Sequence, residues 1–148
     1  MILEDSIIIN VSPDKVFDWF FHFAENYQAW HHDHVKAEWV KGRPLEVGCV
    51  MCAEEYLHGE LHKIKFRLTE IIPNQLIAYQ NLFPLSLLSP GGTFQLTPLE
   101  GQGTKFTATL TFRMGKLLAK LAREQVAAFK EHMQEESRNL KQLLERVK

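Results

Sequence analysis

The sequence predicts a single α+β domain in which a sheet of about seven strands receives one long C-terminal helix, with two short helices after the first strand. Three observations carry this reading. Between residues 35 and 113, apolar and polar residues alternate in short runs separated by turn signals, the period-two mark of strands. Near Gly115 the period changes, and Lys116 to Arg146 places apolar residues at three- and four-residue steps over roughly eight turns. After a short apolar run, Ser12-Pro13-Asp14 offers an N-cap serine and a proline at the first helical position.

The elements follow in order. Ser6 to Val11 reads as a strand, and Val16, Phe17, Trp19, Phe20 and Phe23 make a strongly apolar helix that runs through about His22. A second short helix or turn covers 24–30. Breaks at Lys41-Gly42-Arg43-Pro44, His58-Gly59, Pro73-Asn74, 84–92 and 100–103 leave strands near 35–41, 48–57, 60–72, 75–83, 92–98 and 104–113. The final helix, 116–146, needs a sheet to receive its apolar stripe, because a helix of this kind is not stable alone. The ends, 1–5 and 147–148, are expected to fray.

At 148 residues and 45% hydrophobic content the chain suits one domain, 1–148, with a sizeable core. Seventeen basic against eighteen acidic residues leave no charge excess of the kind that marks generic nucleic-acid binding or an anionic membrane surface. Met1 to Ser6 carries acid where a signal peptide carries base, and no apolar run approaches spanning length. The expectation is a soluble cytoplasmic protein with no membrane insertion. Nothing marks an oligomer interface. Cys49 and Cys52 have Cys-x-x-Cys spacing, but in a strand residues three apart point to opposite faces, so they read as half-buried thiols.

His132 and Glu136 stand out because they share the stripe of Leu118, Ala122, Phe129, Leu140, Leu143 and Val147, where an ordinary helix buries only hydrocarbon. Burying an imidazole and a carboxylate unpaired costs several kcal/mol, roughly, so both must find partners. Their i, i+4 spacing puts both heads on one face, as in helix-borne zinc sites. Trp30-His31-His32-Asp33-His34 is a second polar cluster able to supply the partners.

The order of elements, with the entry Asn10-Val11-Ser12-Pro13-Asp14-Lys15-Val16-Phe17, resembles the START/polyketide-cyclase-like superfamily. That resemblance implies the helix-grip fold: a curved antiparallel sheet wrapped around the C-terminal helix, with a cavity between them. Trp30-His31-His32-Asp33-His34, then Glu54-Glu55-Tyr56-Leu57-His58-Gly59, then His132-x-x-x-Glu136 are together similar to the metal-site pattern of the diacetylphloroglucinol hydrolase family. Carried over, the resemblance implies zinc held by His34, Glu55, His132 and Glu136, with manganese or iron as alternatives.

Strand pairing bears on these choices. If His58-Gly59 is a two-residue turn, Leu57 faces Glu60 and Glu55 faces His62, so Glu55, Glu60 and His62 share the cavity face and Glu54 points outward. Glu60 and His62 are then candidates for proton transfer or substrate contact. His31 rivals His34 as ligand or orients the site, with Asp33 as its acceptor. Tyr79 and Asn81 are candidate cavity-lining substrate contacts.

The resemblance implies a metal-dependent hydrolase of a small apolar carbonyl compound such as an acylated phenol, cleaving a carbon–carbon bond. Two other classes stand beside it: a non-catalytic binder of a hydrophobic, aromatic or lipid-like ligand, and a metal-free polyketide cyclase or dehydratase using His62 or His132 as acid–base. In all three the partner is a small hydrophobic molecule.

Overall fold

The computed structural model describes residues 1–57, 59–113 and 123–146. The alternating segments form seven strands: β1 (Ile2–Ile9), β2 (His34–Lys41), β3 (Val50–Leu57), β4 (Glu60–Ile72), β5 (Leu76–Asn81), β6 (Gly91–Pro98) and β7 (Thr104–Thr111). All neighbours pair antiparallel in one sheet of order β1-β7-β6-β5-β4-β3-β2. Between β1 and β2 lie α1 (Pro13–Phe21) and α2 (Phe23–Trp30), and the described part of the last helix is α3 (Arg123–Arg146). Residues 116–122 of the expected helix, with Leu118 and Ala122, lie outside the described residues, as do Val147 and the turn residue His58.

Three local expectations need correction. Residues 2–5 do not fray: Ile2 to Asp5 pair with Thr111 to Ala108, and the terminal amine donates to the Phe112 carbonyl at 3.1 Å. The acidic letters hid a strand whose Leu3 is buried. Ser12 is the α1 N-cap with Pro13 after it, but its side chain makes no cap bond; its carbonyl accepts from the Lys15 and Val16 amides. Cys49 and Cys52 are free thiols, and both are buried rather than half-buried.

The inner layer is aromatic. Phe20 on α1 packs on Phe94 (5.1 Å between centroids) and Phe106 of the sheet, while Trp19 meets Trp30 edge-on at 5.2 Å. Such pairs add to the area they bury, and they seat α1 and α2 against the sheet's concave face. Met133, Leu140 and Leu144 bury the core stripe of α3. Two bonds tie α2 to α3: the Trp30 indole donates to the Glu136 carbonyl at 2.9 Å, and the Asn139 amide donates to the Trp30 carbonyl at 2.9 Å. This clamp places the segment after α2 beside the middle of α3.

Candidate metal centre and ligand cavity

Three pieces of backbone bring four side chains to one point. The β2–β3 register sets His34 directly opposite Glu55, just before a bulge that breaks the register at Lys36. The β3–β4 register is the expected one, Leu57 against Glu60 and Glu55 against His62, so Glu55 turns inward while Glu54 meets Lys36 at 3.6 Å on the outer face. From α3, His132 and Glu136 reach down to meet them. Among the described residues His34, Glu55, His132 and Glu136 form a compact group of metal-ligating type.

The donor atoms are close to equidistant. His34 Nε2 lies 3.0 Å from Glu136 Oε2, 3.2 Å from Glu55 Oε2 and 3.3 Å from His132 Nε2. His132 Nε2 lies 3.3 Å from Glu55 Oε2 and 3.4 Å from Glu136 Oε2. Five of the six donor separations thus lie at or just below the edge of about 3.3–3.4 Å of a tetrahedron with bonds of 2.0–2.1 Å, so the donors are of a type and spacing that suit zinc.

Tautomers sharpen the fit. His34 Nδ1 sits 2.8 Å from the Tyr27 carbonyl, which can only accept, so Nδ1 carries the proton and the neutral ring presents a bare Nε2 to the cage. The two Nε2 atoms lie 3.3 Å apart, so with one protonated and the other bare they share an N–H···N hydrogen bond, and they repel only when both are protonated or both bare.

Without an ion, the group is a ring of alternating charge. Burial opposes charge on His34, but Glu136 and Glu55 outweigh it and push the imidazole up to about 9. For His132 burial is again overcome by the same carboxylates, and its pKa rises to about 11. Burial would raise Glu55 and Glu136, yet His132 and His34 hold both carboxyls below their ordinary 4.5. Raised imidazoles contribute stability below 6.5 that is lost as pH rises through about 9 and 11. Depressed carboxyls contribute above 4.5 and lose it as pH falls further, so the metal-free ring is strongest between these limits.

His31, the rival candidate, makes other contacts and stands outside the group of four, although with His32 and Glu135, or with Asp33 and His132, it also forms groups of metal-ligating type. Its Nδ1 accepts the Asp33 backbone N–H at 3.0 Å, so the neutral ring carries its proton on Nε2, which donates to Glu135 at 2.7 Å. Burial and the adjacent His132 hold its pKa down and keep it neutral. Its ring lies 4.2 Å from that of His132 and supports it by contact. Asp33 thus acts through its backbone; its carboxylate is 3.8 Å from His31 and 3.4 Å from His32.

Glu60 and His62 are on the expected face but outside the cavity. Both are exposed, 4.0 Å apart, and neither joins the cluster. Face parity was right, but the hairpin tip runs past the covered part of the sheet.

Beside the cluster is a cavity of about 120 Å³, walled by Phe23, Phe66, Tyr79, Phe94, Leu110 and Phe129, with Glu55, His132 and Glu136 on its surface. An engineered apolar cavity of ~150 Å³ accepts benzene, so the space suits roughly one aromatic ring. Tyr79 lines it; burial and the carboxylates of Glu136 and Glu55 raise its pKa and keep it a phenol. Asn81 also lines it, but its amide nitrogen donates to the Ser89 carbonyl and hydroxyl, both at 3.2 Å. Sequence reasoning missed Tyr27, whose hydroxyl donates to Glu55 Oε2 at 3.0 Å, and Glu135; neither sits in a recognisable spacing.

A curved seven-stranded antiparallel sheet gripping a C-terminal helix around an apolar cavity defines a helix-grip protein. The family model for polyketide cyclase/dehydrase and lipid transport proteins matches residues 2–145, and the chain belongs to that family. Solved structures share the fold at low identity. The Zhui aromatase/cyclase from Streptomyces sp. R1128 is 16% identical with a TM-score of 0.75, covering 99% of this chain and 94% of that one. Norcoclaurine synthase from Thalictrum flavum, in complex with dopamine and hydroxybenzaldehyde, is 12% identical with a TM-score of 0.77, covering 100% and 88%. TTHA0849 from Thermus thermophilus is 17% identical with a TM-score of 0.76, covering 97% of each. No curated protein matches the chain in sequence. Family and cavity together support a hydrophobic-ligand-binding or cyclase role. No helix among the described residues is long and apolar enough to cross a membrane.

Proposed function

We propose that the protein is a zinc-dependent hydrolase of a small apolar carbonyl compound, such as an acylated phenol, bound between sheet and helix. The observation that carries this reading is the cage of His34, Glu55, His132 and Glu136 beside an aromatic cavity, with five donor separations of 3.0–3.4 Å. Manganese or iron would suit the same donors less closely matched in size. With four protein donors around it, zinc held there would have to take water or a carbonyl oxygen as an additional ligand, and in that position it would polarise the carbonyl and make the water more acidic.

The remaining residues orient and exclude. Phe66, Phe94 and Phe129 wall a ring-sized, largely apolar space. Tyr79, held as a phenol, can donate a hydrogen bond to a substrate oxygen, while Glu60 and His62 lie outside the cavity. Cleavage of a carbon–carbon bond rests on resemblance alone, because a fold does not fix a reaction. Release of carboxylic acid from a panel of acylated phenols, with zinc and with chelator, tests the reading. Zinc-dependent release is expected; ligand binding without turnover in either condition overturns it.

A metal-free binding or cyclase role is favoured by one observation, the internal charge balance of two imidazoliums and two carboxylates. Proton release separates the two. With His34 and His132 charged at pH 7.5, zinc must displace both protons, so binding is expected to release about two protons per ion and to tighten as pH rises toward 9. Calorimetry in buffers of different ionisation enthalpy measures the count. No zinc uptake leaves the metal-free role.

A further inference from the structure

Resting on the metal reading above, we infer that Tyr27 is the positioning residue of the centre, setting the geometry of two ligands from two different strands. Three contacts converge on it. Its carbonyl accepts from His34 Nδ1 at 2.8 Å, its ring stacks on the His34 imidazole at 3.8 Å and 5°, and its hydroxyl donates to Glu55 Oε2 at 3.0 Å.

Each contact has a physical reason to be where it is. Tyr27 lies in the last turn of α2, which ends at Trp30, so its carbonyl is one of those that a helix terminus leaves without an intrahelical amide. His34 takes that carbonyl, which fixes the tautomer that leaves Nε2 bare. The parallel stack fixes the ring plane, and Tyr27 and His34 are both buried, so neither ring has room to swing.

The hydroxyl acts on the other ligand. Glu55 Oε2 is the oxygen that faces both His34 and His132, and it also accepts the hydrogen bond from the Tyr27 hydroxyl. One lone pair held by Tyr27 leaves the other aimed at the cage, which keeps Glu55 in a one-oxygen mode.

Tyr27→Phe keeps the carbonyl and the stacked ring and removes only the hydroxyl. Loss of a partner that orients a metal ligand typically costs about 10–100-fold in affinity. Competition of untagged protein against a zinc-binding fluorescent indicator is expected to show a loss of that order for Tyr27→Phe. Tyr56→Phe, an exposed phenol next to Glu55, should leave affinity unchanged. Melting temperatures in chelator give the cost of the lost hydroxyl–carboxylate hydrogen bond by itself, and a further loss in the zinc-induced shift of Tyr27→Phe is then a zinc effect. In wild type, the buried Tyr27 hydroxyl proton should shift in NMR spectra on zinc titration, a readout independent of how the variant folds. Wild-type zinc affinity in Tyr27→Phe, or an unmoved hydroxyl resonance, overturns the assignment while leaving the metal centre intact. Absence of zinc binding by wild type overturns the centre and this role together.

Discussion

Saturating zinc is expected to raise the melting temperature of the wild-type protein by about 5–10 °C and to leave Glu136→Gln nearly unmoved. An ion at 100-fold excess over its dissociation constant stabilises the native state by about 2.7 kcal/mol, and each kcal/mol shifts a domain of this size by about 2–4 °C. Glutamine keeps the shape of Glu136 but offers a neutral amide in place of an anionic ligand. The fold should survive the change. Removing one carboxylate from the metal-free ring leaves one imidazole without a counter-charge, and that ring can shed its proton at neutral pH. Equal zinc-induced shifts in the two proteins, followed by differential scanning fluorimetry, would remove Glu136 from the ligand set.

His132→Ala should destabilise the metal-free protein at pH 7 by about 3–5 kcal/mol, the range found when one partner of a buried pair is removed. Both carboxylates then face His34 alone, and the low acidity of a crowded carboxylate limits the loss by letting one take up a proton. The sign of the pH dependence follows. Depressed carboxyls contribute fully above 4.5 and lose that contribution as pH falls further, so the gap between wild type and variant should narrow once pH falls below 4.5. Urea unfolding in chelator at pH 7 and at about pH 3.5 measures both values. A gap that widens on acidification contradicts the ring of alternating charge.

These two effects concern residues whose positions were legible from pattern. Glu136 and His132 announced themselves as polar groups on an apolar helical stripe, and the two-residue turn at His58-Gly59 separated Glu55 from Glu54 through strand parity. Parity says which face a residue takes, not how far the covering layer extends, and so it put Glu60 and His62 in a cavity that ends before them. His34 was preferred over His31 because it starts the strand beside Glu55, yet the spacing left His31 as a rival. What separates them is a single backbone amide, Asp33 N–H to His31 Nδ1, which no spacing reveals. Tyr27 was invisible for a similar reason: its grip on the centre uses a carbonyl freed by the end of α2 and a hydroxyl that crosses to β3. At the N-terminus, Glu4 and Asp5 looked like a solvated tail because edge-strand pairing through the backbone is indifferent to the charges it carries.

The proposed chemistry depends on an ion at the meeting point of His34, Glu55, His132 and Glu136. Elemental analysis of protein purified without an affinity tag from metal-replete medium tests it most directly. About one zinc or similar divalent ion per chain, lost in a His132→Ala, Glu136→Ala double variant, is the expected result. Metal-free wild-type protein, or full occupancy surviving in the double variant, would contradict it.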